Sequence, residues 1–263
     1  MTFPLLTGKH TFRAVTNPAE HAAYIQGRDP AASLKTADGV VLLYQRSLMQ
    51  HAATAYPGQH LPWVRGDLLL VERRGRSLAI CGGFGLGAPA AALVLEQVIA
   101  LGARRVVTVG TAASLRTDLV AGDLVVCDTA LRDEGVSHHY MAPGTHAKPS
   151  KRLTTCLAEA LQDKGVSARR GPGWTIDAPY RETEAEVARY GRMGVLTADM
   201  EAAAVFAVAG HRGIDAATVF VVADSLLDRR PRMDRSETVH ALRTALDCAL
   251  SALSRAAQKE RRR

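Results

Sequence analysis

Short apolar runs alternate with longer segments in which apolar residues recur every three or four positions. The short runs predict buried strands, and the longer periodicity predicts helices. This alternation favours an α/β fold in which helices cover a sheet. The predicted strands are 68–71, 77–80, 105–109, 123–127 and 216–222.

The predicted helices differ in how clearly their ends are marked. A helix over 88–101 is opened by Pro89 and closed by Gly102. A second is expected over 197–210, which is rich in small residues, and a third around Leu153 to Leu161. The last carries an apolar face, and Asp234 with Glu237 is expected to cap it. The segment 17–38 has the least regular pattern.

Composition indicates one globular domain spanning 1–263, because 47% of the residues are hydrophobic. No apolar run reaches the ~18 residues that a membrane-spanning helix needs. The N-terminus has no basic segment followed by an apolar one, so we expect no signal peptide. The four cysteines form no Cys-x-x-Cys pair, which favours a reducing compartment such as the cytoplasm and predicts no metal site.

The net charge of +7 raises the question of a nucleic-acid partner. Much of the excess lies in the last residues, 259–263, which we expect to form a frayed, solvated tail. A second basic cluster at 229–235 is diluted by aspartates, and only 5% of residues are aromatic. These features predict solvated surface rather than nucleic-acid binding.

A glycine-rich turn at 82–89 follows a predicted strand and opens a predicted helix. Glycines and the free N–H groups of a helix N-terminus suit a bound anion or sugar. A dinucleotide-binding turn would be followed by an acidic residue about 20 positions later. No Asp or Glu occurs between Gln97 and Thr117, so a dinucleotide site is disfavoured, and an ordinary tight turn stays open.

Four separated segments carry a family resemblance. They are 83–90, 109–114, 131–140, and 198–204 followed by 222–225. In this order they resemble the purine nucleoside phosphorylase and uridine phosphorylase family over residues 77–227. The resemblance implies a three-layer α/β/α fold with a mixed, strongly bent sheet, in one domain with a divergent N-terminal segment (residues 1–42) and a basic tail (residues 257–263). It also implies a homo-oligomer, a hexamer built as a trimer of dimers or a dimer, with sites completed by a neighbouring subunit.

In this family phosphate attacks the anomeric carbon of a nucleoside as the base departs. The resemblance assigns Met200 and Glu201 to the ribose, where a carboxylate can accept two hydroxyl groups. It assigns Asp224 to purine N7. A carboxyl at the end of an apolar strand is partly desolvated, and desolvation favours the protonated form that can act as an acid. The uridine enzymes use a Gln-x-Arg pair instead, which is not found here, so a purine is favoured.

The phosphate residues implied by the resemblance are Gly85, Thr111, Arg46 and Arg65, with Arg46 or Arg65 matching an arginine lent by the adjacent subunit. The base-binding residues are Ala112, Ala113, Pro179, Tyr180 and Arg181, with Pro179 where the family has a stacking phenylalanine. Two features depart from the family. Its Gly-Asp-Pro-x-Arg loop is represented only by the string 27–30, and Thr108 stands where the family has an arginine.

Three activities therefore stay open. The first is a purine-preferring nucleoside phosphorylase that uses inorganic phosphate as co-substrate and no other cofactor. The second is a hydrolytic nucleosidase, since those relatives lack the strand arginine and some carry an aspartate where Asp199 stands. The third is a non-catalytic nucleoside-binding protein. Each assignment also has a structural alternative: Glu201 as an acid in a first helical turn, Asp224 as a helix cap, and Arg46 and Arg181 as surface residues.

Overall fold

The computed structural model describes residues 3–229 and 235–261. Within those ranges, ten strands form one mixed sheet. The strands are β1 Val40–Leu43, β2 Gly58–His60, β3 Asp67–Arg73, β4 Arg76–Gly82, β5 Arg105–Ser114, β6 Leu124–Asp133, β7 His146–Ala147, β8 Ala168–Ile176, β9 Thr197–Asp199 and β10 Asp215–Ser225. The α-helices are α1 Pro18–Arg28, α2 Arg46–Ala55, α3 Ala88–Ala100, α4 Ser137–Tyr140, α5 Lys151–Asp163, α6 Glu184–Arg192, α7 Ala202–Arg212 and α8 Ser236–Arg261.

The sheet bends because β5 pairs with three other strands. Strand β10 runs parallel along residues 105–114 of β5. On the opposite edge β1 covers 106–109, and β9 then covers 113–114. Since β10 continues through β6, β8 and β9 back to β5, these strands close into a ring. The remaining strands extend from β1 in the order β1-β4-β3-β2.

Helices cover both faces of the sheet. Alternate residues of β1 point to opposite faces, since Val40 and Leu42 join one apolar cluster while Val41 and Leu43 join another. The first cluster is completed by α1, α3 and α7, and the second by α2, α5 and α8. A smaller cluster around Trp174 packs beneath α6. The three-layer α/β/α architecture and the mixed, bent sheet are as predicted.

Most predicted elements are present, and several strands run further than expected. The helix 88–101 is found as α3, and each predicted strand is found. Strands β5, β6 and β10 continue past their apolar runs into more polar residues. This extension matters because Thr111, Ala112, Ala113 and Asp224 then lie within paired strands rather than in loops.

Three expectations are corrected. Residues 197–210 are not one helix, because Thr197–Asp199 pairs as β9 and the helix begins at Ala202. The segment 17–38 contains α1, which begins at Pro18 after the side chain of Asn17 caps it. Residues 259–261 are not a frayed tail, because α8 continues to Arg261. The guanidinium of Arg261 lies 3.3 Å from the buried carboxylate of Asp38.

The remaining expectations concern cysteines, membrane spans and caps. All four cysteines are buried and unpaired. Within the described ranges, no helix combines the length and apolarity required to cross a bilayer. The same ranges contain no group of three His, Cys, Asp or Glu side chains arranged to hold a metal ion. Asp234, expected to cap the last helix, lies outside the described residues, and Glu237 is found in the first turn of α8.

Candidate functional site

Two parallel strands, β1 and β4, end side by side next to β5, which continues past them to Ser114. Leu43 of β1 is in register with Gly82 of β4 and with Val109 of β5. The glycine-rich turn and the Tyr44-Gln45 pair follow these two strand ends, and Gln45 thereby contacts Thr111 within β5. In open α/β sheets, ligands bind at the carboxyl ends of parallel strands.

Glu201 lies immediately before α7, and its side chain is buried. Its Oε1 accepts a hydrogen bond from the backbone N–H of Gly87 at 2.7 Å. Gly87 precedes α3 with a φ of +92°, a conformation that favours glycine, and a Cβ placed there would meet Cε of Met200 at 3.8 Å. Met200 and Glu201 are thus held against the glycine-rich turn.

Asp199, and not Glu201, caps the helix. Its Oδ2 accepts the backbone N–H groups of Glu201 at 2.8 Å and Ala202 at 2.6 Å. Its Oδ1 accepts the hydroxyl of Thr175 at 2.9 Å, and that hydroxyl oxygen accepts the N–H of Ala203. Because Asp199 satisfies the first-turn donors, the Glu201 carboxylate is free to point away from its own helix.

Burial dominates the electrostatics of this pair of carboxyl groups. Burial, reinforced by the charge of Asp199, raises the pKa of Glu201 to about 8, although the N–H of Gly87 opposes the shift. Burial also raises the pKa of Asp199 to about 6, while its hydrogen bonds from Ala202, Glu201 and Thr175 favour the charged form. A ligand that brings hydroxyl donors to Glu201 would stabilise its carboxylate form.

Asp224 stands near the end of β10, at a bulge after Val222. Ala113 of β5 is in register with Asp224 on one side and with Ala198 of β9 on the other. The alternative that Asp224 caps a helix is wrong, because it lies within a strand and α8 begins only at Ser236. With strand spacings near 5 Å, Asp224 and Ala198 lie roughly 10 Å apart across Ala113.

Arg229 is the partner of Asp224 that sequence reasoning missed. Its Nη1 donates to Oδ2 of Asp224 at 2.5 Å, and the N–H of Ser225 donates to Oδ1 at 2.8 Å. The Asp224 side chain is 26% exposed and that of Arg229 is 61% exposed, so the pair opens to solvent. The partly buried Glu182 faces the charges of both groups. The sequence predicts Arg229 to lie in the solvated cluster 229–235, and only its short spacing from Asp224 points to this contact.

The predicted phosphate residues lie near the ends of β1 and β4 and in the adjacent part of β5. Thr111 accepts a hydrogen bond at its Oγ1 from Nε2 of Gln45 at 3.0 Å. Arg46 is the first residue of α2, is exposed, and follows Gln45 directly. Arg65 is also exposed, and its neighbour Gly66 lies against the backbone of Gly82 and Gly83, so Arg65 borders the glycine-rich turn. Gly85 is exposed in that turn with a φ of +104°.

The two departures from the family pattern have structural counterparts. Thr108 is fully buried, and its hydroxyl lies 2.8 Å from the hydroxyl of Thr218 on β10, so a closed polar pair occupies the arginine position. The string 27–30 lies at the end of α1 and not after β1. Tyr44 and Gln45 occupy the turn after β1 instead, and the Tyr44 ring packs so closely that a Cβ on Gly110 would lie 2.7 Å from it.

The predicted base residues divide into two groups. Ala112 is buried and Ala113 is half-buried, in register with Val222 and Asp224 of β10. Pro179, Tyr180 and Arg181 form a short 3₁₀ turn after β8, and all three are exposed, with Tyr180 fully so. The alanines thus lie beside Asp224, while the Pro179–Arg181 turn stands at the surface.

The protein is an α/β protein whose mixed sheet has helices on both faces. Carboxyl groups and a glycine-rich turn lie near the ends of its strands. The chain belongs to the phosphorylase superfamily, whose family model matches residues 57–258. The match begins after α2, so the turn at Tyr44-Gln45 lies outside it.

Two curated relatives are similar over most of this region. A guanosine phosphorylase of Halorubrum lacusprofundi is 31% identical over 189 residues, covering 68% of this chain and 78% of the relative. A DeoD-type purine nucleoside phosphorylase of Bacillus thuringiensis is 28% identical over 174 residues, covering 64% of this chain and 74% of the relative.

Solved structures share the fold. A uridine phosphorylase from Vibrio fischeri superposes with a TM-score of 0.75 at 24% identity, covering 84% of this chain and 93% of that one. A purine nucleoside phosphorylase from Toxoplasma gondii, in complex with immucillin-H, superposes with a TM-score of 0.77 at 20% identity, covering 86% and 93%.

Proposed function

We propose that this protein is a nucleoside phosphorylase that cleaves the N-glycosidic bond of a purine nucleoside with inorganic phosphate, giving free base and ribose 1-phosphate. The main support is the register of Ala113 in β5, which pairs with β10 on one side and with β9 on the other. Ala113 separates Asp224 from Ala198, and the chain runs from Ala198 through Asp199 to Glu201. The flanking strands are roughly 10 Å apart, so Asp224 and the segment that leads to Glu201 lie on either side of Ala113.

Glu201 is the proposed ribose ligand. A buried carboxylate fixed by Gly87 has a second oxygen and further lone pairs to accept the 2′- and 3′-hydroxyls. These bonds hold the sugar while its anomeric carbon becomes oxocarbenium-like. Met200, against the same turn, packs on the sugar.

Asp224 is the proposed partner of the leaving base. As a phosphate oxygen bonds to the anomeric carbon, the glycosidic bond breaks and its electron pair moves into the purine. In its protonated form, Asp224 transfers a proton to N7, so that the base leaves neutral and Asp224 is left as a carboxylate. Arg229, which donates to the same carboxylate, holds it in position. Ala112 and Ala113, whose side chains point to opposite faces of β5, are proposed to face the base through backbone and one small side chain, with the exposed Pro179, Tyr180 and Arg181 at its outer side.

The purine preference rests on two lines of support. The chain has an aspartate at Asp224, and the relatives that resemble it at 31% and 28% identity are named for guanosine and purine nucleosides. Guanosine and inosine are therefore the substrates to test first.

Phosphate is proposed to bind between Gly85 of the glycine-rich turn and Thr111 of β5. Arg46 and Arg65 would supply positive charge. The geometry of Asp199 disfavours the hydrolytic alternative. Both of its oxygens accept hydrogen bonds from Glu201, Ala202 and Thr175. We therefore assign Asp199 to holding the start of α7 rather than to activating water.

A homo-oligomer is part of the proposal, as a hexamer built from dimers or a dimer, in the cytoplasm and with no cofactor beyond phosphate. Exposed apolar side chains support an interface beside the site. Leu86, in the glycine-rich turn, is 60% exposed, and Val64, beside Arg65, is 45% exposed. Arg46 and Arg65 are open to solvent in one subunit, and a neighbour would enclose them. Light scattering on a sizing column tests the assembly.

A substrate panel tests the activity. Guanosine, inosine, adenosine and uridine are incubated with the protein, with and without phosphate, and free base and ribose 1-phosphate are measured. Phosphate-dependent release from purine nucleosides supports the proposal. Phosphate-independent release would instead indicate a nucleosidase, and tight binding without release a nucleoside-binding protein.

A further inference from the structure

The turn after β1 contains a buried hydrogen-bond acceptor with no donor. Gln45 donates from Nε2 to Oγ1 of Thr111. Its other amide atom, Oε1, is buried and has no hydrogen-bond partner among residues 3–229 and 235–261. Buried carbonyl oxygens are almost always paired, and leaving one unpaired is costly. A ligand with a proton to donate would remove that cost.

The contact also determines what Thr111 offers. Because Oγ1 accepts the amide N–H of Gln45, the hydroxyl proton of Thr111 is left to donate to a different acceptor. Gln45 and Thr111 therefore present one donor and one acceptor together. A ligand that satisfies both must carry an unprotonated oxygen and an O–H group.

The surroundings indicate that this ligand is an anion. Gln45 precedes α2, and its side chain makes no capping hydrogen bond to the first backbone N–H groups of that helix. Arg46 follows as the first helical residue. Positive charge and free donors favour an oxyanion, while the acceptor of Gln45 disfavours one that is fully deprotonated.

We propose that Gln45 makes this site selective for protonated oxyanions, so that it binds phosphate and arsenate in preference to sulfate. Near neutral pH, phosphate and arsenate keep an O–H group that can donate to Oε1 of Gln45. Sulfate has no proton to donate and would place an anionic oxygen against a carbonyl oxygen. The inference rests on the proposed function and adds to it the residue that distinguishes the co-substrate from a similar dianion.

The opposite orientation of the amide makes a different prediction. If Oε1 accepted the Thr111 hydroxyl, the free Nε2 would donate to either anion and give no selectivity. Comparing phosphate with sulfate therefore distinguishes the two arrangements directly.

The test is calorimetric titration of the purified full chain with phosphate, arsenate and sulfate at one near-neutral pH and constant ionic strength. We expect phosphate and arsenate to bind about tenfold more tightly than sulfate, the effect of one unpaired buried acceptor. Gln45→Leu removes the acceptor and should reduce the preference to about twofold or less. Gln45→Glu keeps an acceptor and should retain the preference while binding every anion more weakly. Gln162→Leu, at an exposed position of α5, is the matched control.

The outcomes separate this inference from the proposed function. Sulfate binding as tight as phosphate binding, or a preference that survives in Gln45→Leu, would overturn the role of Gln45. If guanosine is still cleaved only with phosphate, the proposed function stands in that case. If no anion binds and cleavage ignores phosphate, both proposals fail.

Discussion

The carboxylate of Glu201 accepts a hydrogen bond from the backbone N–H of Gly87, a residue 114 positions earlier in the chain. This contact joins the glycine-rich turn to the residues before α7. It is possible because Asp199 caps the helix and so leaves the side chain of Glu201 free. The proposed ribose ligand is thus positioned by segments that are distant in the sequence.

The first prediction concerns the proposed acid. Asp224→Asn keeps the size of the side chain but removes the acid, so turnover of guanosine or inosine should fall about 100-fold or more. Nucleoside affinity, measured by calorimetry, should change little, because Glu201 and Met200 still hold the sugar. Asp163→Asn, at an exposed residue of α5, is the control. Unchanged turnover in Asp224→Asn would remove this residue from the mechanism.

The second prediction follows from the raised pKa of Glu201. The folded protein holds this proton up to about pH 8, whereas an unperturbed glutamate has a pKa of 4.5. Between those values the folded state binds more protons than the unfolded state, so the contribution of Glu201 to stability falls as pH rises. Glutamine does not titrate, and Glu201→Gln should therefore gain thermal stability over the wild type as pH rises from about 5 to about 9, by about 3 °C or more.

Thermal denaturation across that pH range measures the effect, with the exposed Glu184→Gln as control. A difference between Glu201→Gln and wild type that does not vary with pH would contradict the assigned burial. Catalytic efficiency of the same variant should fall, since an amide is a weaker acceptor for the ribose hydroxyls.

The third prediction separates the two roles considered for Asp199. If it is a helix cap, Asp199→Ala should lower the free energy of unfolding by about 1–3 kcal/mol, because two backbone donors and the Thr175 hydroxyl lose their acceptor. The KM for nucleoside should rise as Glu201 loses its support. Chemical denaturation and steady-state kinetics measure both effects. A variant of wild-type stability that loses all activity would favour a direct chemical role and reopen the hydrolytic mechanism.

The fourth prediction concerns positive charge at the anion site. Arg46→Ala should raise the KM for phosphate about tenfold while leaving the KM for nucleoside nearly unchanged. The exposed Arg192→Ala, on α6, provides the comparison. Equal phosphate dependence in both variants would assign Arg46 to the solvated surface.

Much of the fold could be predicted from the sequence because its elements carry local signals. Helix α3 has Pro89 at its start and Gly102 beyond its end, and the buried strands are continuous apolar runs. The three-residue strand β9 could not be separated from α7, since a short run before a helix has no period of its own. The spacing of apolar residues also could not predict that the strands close into a ring. That closure requires one edge of β5 to pair first with β1 and then with β9.

The sequence indicates candidate-site residues where they stand in motifs. Glu201 and Asp224 are indicated by the segments around them, and the strand register brings those segments together. The contacts of Gln45 with Thr111 and of Arg229 with Asp224 could not be predicted from the sequence, for different reasons. Gln45 contacts Thr111 only because β1 lies beside β5 in the sheet, and Arg229 folds back on Asp224 from a segment whose composition is typical of solvated charge.

In the proposed mechanism, one nucleoside lies between Asp224 and Glu201. The most direct measurement is a crystal structure of Asp224→Asn, which slows turnover, soaked with guanosine and phosphate. We expect ribose hydroxyls on Glu201, purine N7 beside residue 224 and phosphate near Thr111. Nucleoside bound elsewhere, or these two side chains facing separate cavities, would contradict this mechanism.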